Sequence, residues 1–210
     1  MRRLSLGLVL GIALGSSQAR ADLVIDFDDG ISGNPIGSFY AALGVTFSNV
    51  RWFTNIDSTG NPAPGTSGPL VINGVNSTFY PKVDSPLVAN FSVPVLNVSI
   101  IASGIGGNGA RIDAYDALAG GNLVDFDQFI GTGAGQSVFR ELAVSGSGIR
   151  RIELYQPLNT LGTGDGLSWD TLAYTAVPEP SSAILTLTGV VVGTCFGLLR
   201  KTRRPSMGSG

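Results

Sequence analysis

Histidine is absent from this chain of 210 residues, and cysteine occurs once, at Cys195. Without histidine there is no Ser-His-Asp or Cys-His catalysis and no imidazole to hold zinc or haem. A lone cysteine forms no intrachain disulfide and no thiolate cluster. Charge is scarce as well. Only 13% of residues are Asp, Glu, Lys or Arg, against about 25% in an ordinary soluble domain. Residues 22–176 hold six basic and 14 acidic side chains, a formal charge of −8. That surface repels a phosphate backbone, which excludes nucleic acid as a partner.

The two ends are built differently from the middle. Met1-Arg2-Arg3 is a positive start, Leu4–Gly15 is a short apolar run, and Ala19-Arg20-Ala21 is an A-x-A cleavage site. Residues 1–21 therefore read as a secretory signal cut by signal peptidase after Ala21, because 12 apolar residues are too few to cross a bilayer. Near the other end, residues 183–199 (AILTLTGVVVGTCFGLL) carry no charge and precede Arg200-Lys201-Thr202-Arg203-Arg204. An uncharged span with a basic flank predicts one transmembrane helix across the inner membrane. Its tail, residues 200–210, would be cytoplasmic and the body of the chain outside. Cys195 lies in that span as a small apolar residue.

Val177-Pro178-Glu179-Pro180-Ser181-Ser182 joins body to span. Prolines on both sides of a glutamate exclude helix and central strand, so residues 177–182 form an exposed connector. V-P-E-P, an apolar span and a basic tail, in that order, resemble the PEP-CTERM sorting signal of Gram-negative bacteria that make exopolysaccharide. The resemblance covers residues 177–204. It implies an exosortase as partner, with Pro178, Glu179 and Pro180 as recognition residues, and delivery to the cell surface or extracellular matrix.

Residues 22–176 show short apolar or alternating runs between Gly, Asn, Asp and Pro clusters. Strands are predicted at 23–28, 45–53, 69–73, 87–92, 94–103, 110–116, 121–126, 136–145, 149–155 and 167–175. None carries a helical stripe. The fold class is all-β, a two-sheet, jelly-roll-like β-sandwich followed by the single helix. Pro62, Pro64, Pro69 and the glycines around them mark a long exposed loop. The opening Asp26-Phe27-Asp28-Asp29-Gly30 and the closing Trp169-Asp170-Thr171-Leu172 also resemble PEP-CTERM ectodomains, which are similar to galactose-binding-like jelly rolls. That likeness implies a structural calcium joining first and last strands through Asp28 and Asp170, with Asp26 or Asp29 assisting. Thr171 stands where a second acid is usual. Alternation independently sets Asp26 and Asp28 on one strand face.

Other motifs carry less. Gly104 to Gly109 fits G-x-G-x-x-G, but strand-like residues follow, so it is an inter-strand loop. Asn76-Ser77-Thr78, Asn90-Phe91-Ser92 and Asn97-Val98-Ser99 match the glycosylation sequon by chance. Glu141 and Glu153 are the only glutamates of the body and fall on adjacent predicted strands. A glycosidase needs such a pair, although neighbouring arginines point to cross-strand charge pairing. Sugar binding needs exposed rings. If Val45 and Phe47 face the core, strict alternation puts Trp52 outside, with Tyr80 as a second platform. Trp169 reads as packing. The expected function is binding or organising extracellular polysaccharide without catalysis. A matrix protein acting through protein contacts is the alternative, and a carboxylate hydrolase the third.

Overall fold

The computed structural model describes residues 22–56, 60–75, 81–133, 138–158 and 166–177. They belong to one compact unit, Ala19–Val177. The expected signal peptide with Ala19 and Ala21, Tyr80, the sorting residues Pro178, Glu179 and Pro180, the span and the tail lie outside them. Among the described residues no helix is long and apolar enough to cross a membrane.

The unit is all-β. Its strands are β1 (Asp22–Ile25), β2 (Val45–Ser48), β3 (Val50–Thr54), β4 (Leu70–Gly74), β5 (Leu87–Ser103), β6 (Ala110–Tyr115), β7 (Leu123–Phe129), β8 (Phe139–Tyr155) and β9 (Ser168–Ala176). A 3-10 turn, Ala41–Leu43, precedes β2. The strands run in the order β3-β4-β9-β5-β8-β6-β7, with β1 paired to β9 and β2 to β5. The expected two sheets are thus one continuous hydrogen-bonded network, because β5 and β8 belong to both layers.

Strands of 17 residues explain this arrangement. Straight, β5 would be about 56 Å long, whereas a domain of this size has a radius of gyration of about 15 Å. It must bend. Its register shifts between Asn90 and Val95 and again between Val95 and Asn97, and Pro94, which cannot donate to a ladder, sits in that interval. Before the shifts Leu87, Ala89 and Phe91 are buried; after them Val98, Ile100 and Ala102 are. The first half pairs with β2 and the end of β8, the second half with β9 and the start of β8. Phe91 from one half meets Tyr174 of β9 with ring centroids 5.1 Å apart, so the layers close on a shared core.

The predicted segments 87–92 and 94–103 therefore merge into β5, and 136–145 and 149–155 merge into β8. The predicted strand 45–53 divides instead. Asn49 adopts φ 58°, and its side-chain amide donates to the carbonyls of Ser85 (3.1 Å) and Pro86 (3.0 Å). The alternation restarts there. Val45 and Phe47 are buried before the break, and Val50 and Trp52 after it. Trp52 is consequently 3% exposed and cannot offer the outer sugar platform that unbroken alternation predicts. It stacks edge-on against Phe39, with centroids 5.0 Å apart. A Cβ at Gly30 would come 2.0 Å from its ring.

This assignment predicts two different costs. Asn49→Ala loses the amide hydrogen bonds and strains a positive φ, so it should lower unfolding stability by about 2 kcal/mol. Asn49→Gly keeps the backbone free and should lose about half as much. Urea unfolding measures both, and equal losses would contradict the left-handed break.

Candidate functional site

The resemblance-based metal residues meet around Ser67, in the loop that joins β3 to β4. The Ser67 amide donates to Asp170 Oδ2 at 2.5 Å, and its Oγ lies 3.0 Å from the same oxygen. That Oγ is also 3.2 Å from Asp28 Oδ2 and 3.1 Å from the Asp26 carbonyl. Leu70 donates its amide to Asp28 Oδ1 (3.2 Å) and Thr171 donates its own to Asp170 Oδ1 (2.7 Å). The expected long exposed loop is pinned at this point. A Cβ on Gly68 would fall 2.1 Å from Asp28 Oδ2, so only glycine lets the loop approach this closely.

The structure revises the donor set. Asp28 and Asp170 converge, but the Asp26 carboxylate does not. β1 ends at Ile25, and Phe27 at φ 62° turns the chain. Strand alternation therefore stops before it can align Asp26 with Asp28. The Asp26 side chain instead accepts the Asp28 amide at 3.3 Å, leaving its backbone carbonyl at the site. Asp29 accepts the Tyr40 hydroxyl and takes no part. Among the described residues no three acidic, cysteine or histidine side chains converge on one point.

Asp170 is completely buried, and burial raises its carboxyl pKa; the Ser67 and Thr171 hydrogen bonds oppose that rise, while nearby Asp28 adds to it. Neither aspartate has an ion-pair partner among the described residues. One hydroxyl proton cannot satisfy carbonyl and carboxylate oxygens on three residues. Two carboxylates, a carbonyl and a hydroxyl, without an opposing cation, are donors that suit a hard divalent ion such as calcium. Thr171 at φ 50°, like Phe27, is a non-glycine residue in the left-handed region beside this cluster. Such conformations cost of order 1–3 kcal/mol each and persist only where the surroundings impose them. Sequence reading missed Ser67 and Gly68, which nothing in a Pro- and Gly-rich loop distinguishes.

A second feature lies on the outer face of the layer formed by β1, β9, β5 and β8. Cross-strand rows Val24–Ala173–Ser99–Ala143 and Asp22–Thr175–Asn97–Ser145 line up across it. They floor an open groove of about 540 Å³. The side chains are short, and Val98 and Val144 between them point into the core. Asp22 accepts the Thr175 hydroxyl at 2.5 Å. Asn97, Ser99 and Ser145 have no side-chain hydrogen-bond partner among the described residues, so their amide and hydroxyl groups face the groove unengaged. The outer edge of β8 is closed by β7: Asp127 Oδ2 accepts the Ala143 amide (3.0 Å) and Asp125 Oδ2 the Ser145 amide (2.8 Å). The repeated small–Val–small pattern of Asn97-Val98-Ser99 and Ala143-Val144-Ser145 was the available signal for this floor.

Other expected sites resolve differently. Glu141 and Glu153 both lie on β8, not on adjacent strands. They stand on either side of its bend, Glu141 opposite Ile101 in one layer and Glu153 between Val88 and Asp113 in the other, so they do not flank one cleft as a glycosidase pair must. Glu153 Oε1 is 3.0 Å from Arg151 Nε. Residues 104–109 connect β5 to β6, and a strand follows them rather than a helix. Trp169 is fully buried, as packing requires.

No protein-family model matches the chain, and no curated protein is similar to it. Among solved structures it is similar to the module CsCBM6-3 of Clostridium stercorarium, in complex with cellobiose. That match has 10% identity and a TM-score of 0.37, covering 74% of this chain and 94% of that one. It is also similar to a β-1,3-glucan-binding CBM6 from Bacillus halodurans, with 14% identity and a TM-score of 0.38, covering 62% and 89%. Both are distant likenesses, and the domain's own geometry must decide what it can bind.

The raised Asp170 pKa gives a signed expectation. Folding then takes up a proton between the ordinary value of 3.8 and the raised one. Stability from Asp170 is gained as pH falls through that window and lost as pH rises. Wild-type protein in EDTA should therefore gain Tm relative to Asp170→Asn as pH is lowered from 7 toward about 4. A difference independent of pH would contradict the buried, ionisable Asp170.

Proposed function

We propose that residues 22–176 form an exported, non-catalytic domain that binds extracellular polysaccharide. The observation that carries this reading is the groove on β1, β9, β5 and β8. Its lining is hydroxyl, amide and small apolar groups, the mixture that meets a polyhydroxylated chain, and its aspartate is already hydrogen-bonded. The placement of Glu141 and Glu153 in different layers supports binding without hydrolysis. The sorting-signal resemblance at residues 177–204 supplies the setting. Signal peptidase and an exosortase would process the chain, and the sugar polymer would be met at the cell surface or in the matrix. The jelly-roll resemblance of the opening and closing segments agrees with this role.

In the same reading, a structural calcium ion held by Asp28 and Asp170, with the Asp26 carbonyl and Ser67 Oγ, fastens the first strand to the last. It would neutralise the facing carboxylates, and sugar contact would remain with the groove.

Two outcomes are expected. At calcium about a hundredfold above its Kd, linkage adds about 2.7 kcal/mol, and Tm should rise by roughly 5–10 °C. Asp28→Asn and Asp170→Asn should abolish the rise; a wild-type Tm identical in calcium and EDTA would remove the ion. Separately, residues 22–177 should be retained on the host's own exopolysaccharide and release no sugar from it. Ser99→Phe, which fills the groove, should lower retention at least tenfold. Retention unaffected by Ser99→Phe would move the binding elsewhere, and sugar release would make the protein an enzyme.

A further inference from the structure

The other layer has an outer face that the groove does not use. There β6 lies between β7 and the end of β8, and Phe126 pairs across from Asp113, which pairs in turn with Glu153. Phe126, in β7, is 52% exposed. It is not loose. The Arg111 guanidinium carbon sits 4.1 Å from its ring centroid. Arg111 is held by Asp113 Oδ1 at 2.7 Å and donates to Gln128 Oε1 at 3.2 Å. Asp113, itself only 5% exposed, also accepts the Tyr155 hydroxyl at 2.7 Å. Burial and that aspartate push the Tyr155 phenol up to about 12, so it stays a neutral donor. A chain of fixed groups thus anchors one exposed ring, with the planar Gln128 amide beside it.

We propose that the Phe126 surface is a second polysaccharide contact, so that one domain bridges two strands of an uncharged glycan. The inference rests on the polysaccharide reading above and adds valency to it. Charge selects the occupant. The ectodomain carries a formal −8, yet Arg111 on this face is matched by Asp113, and Arg151 by Glu153. A surface whose cations are spent on its own carboxylates offers nothing to an acidic polymer or to a phosphate. A rigid ring flanked by an amide suits a sugar ring, which presents C–H groups to the aromatic face and hydroxyls to its rim. Because the ring and the groove belong to the outer faces of different layers, filling one leaves the other free. Two contacts on one rigid body convert binding into cross-linking.

The experiment uses residues 22–177, which form a compact unit with its own core. The probe is the host's exopolysaccharide, freed of acidic material on an anion exchanger. Retention on the immobilised glycan and light scattering of protein mixed with soluble glycan are read together. Sedimentation of the protein alone reports self-association. Wild-type protein should be monomeric, retained, and should raise scattering. Phe126→Ala should remain retained through the groove while its scattering falls to that of glycan alone, and Phe126→Tyr should restore the scattering. Ser99→Phe should likewise abolish scattering while leaving only the weaker retention that depends on Phe126, and the double variant should lose retention altogether. Retention with scattering unchanged in Phe126→Ala would overturn this proposal and leave the groove reading intact. A Phe126-dependent dimer without glycan would overturn it in favour of a protein contact. If wild-type protein is not retained at all, the polysaccharide reading fails and this inference falls with it.

Discussion

The pairing of β5 with β8 is the constraint on which the rest of the domain depends. Each strand has 17 residues and serves both layers, so wherever that pair bends, everything attached to it changes direction. The bend is written into the chain. Pro94 lies in the shifted register of β5, while Gly146 in β8 has Val124 of β7 so close that a Cβ would come within 2.3 Å of it. Past the bend the buried side of β5 changes from odd to even positions. That change turns Asn97 and Ser99 outward to meet Ala143 and Ser145, which creates the groove floor. A straight β5 would leave neither a closed core nor that floor.

A second constraint acts where the chain begins and ends its sheet. Burying Asp170 without a cation opposite is unfavourable, and its neighbour Asp28 adds repulsion. The fold tolerates this by spending amides from Ser67, Leu70 and Thr171 on the two carboxylates, and by holding Phe27 and Thr171 at positive φ. The loop carrying Ser67 is drawn in as a result. Structure and electrostatics therefore coincide at the point where the chain's first and last strands meet.

Much of this was legible in the chain itself. Alternation located the strands, and the lack of a helical stripe gave the all-β class, because side-chain period is a local property. What failed were features set by a single residue's backbone. Asn49 resets the alternation by one position, which carries Trp52 from the outer face to the core. Phe27 does the same between Asp26 and Asp28. Asn49 is of a type that takes positive φ more often than other non-glycine residues, but nothing about Phe27 signals it. At Pro94 and Gly146–Gly148, proline and glycine mark bends inside strands instead of the turns that such residues suggest in sequence. The groove escaped notice because its residues are small and uncharged, and such residues signify only when their neighbours across the sheet are known.

The proposed function rests on paired charges, engaged carboxylates, and unengaged hydroxyl and amide groups along one sheet face. Glycan binding in that groove is most directly tested by an amide NMR map of isotope-labelled residues 22–177 during titration with the host's exopolysaccharide. Binding there should shift Asn97, Ser99, Ala143 and Ser145, with the buried amides of β3 unmoved. An unchanged spectrum at saturating glycan, or changes that avoid those four residues, would contradict it.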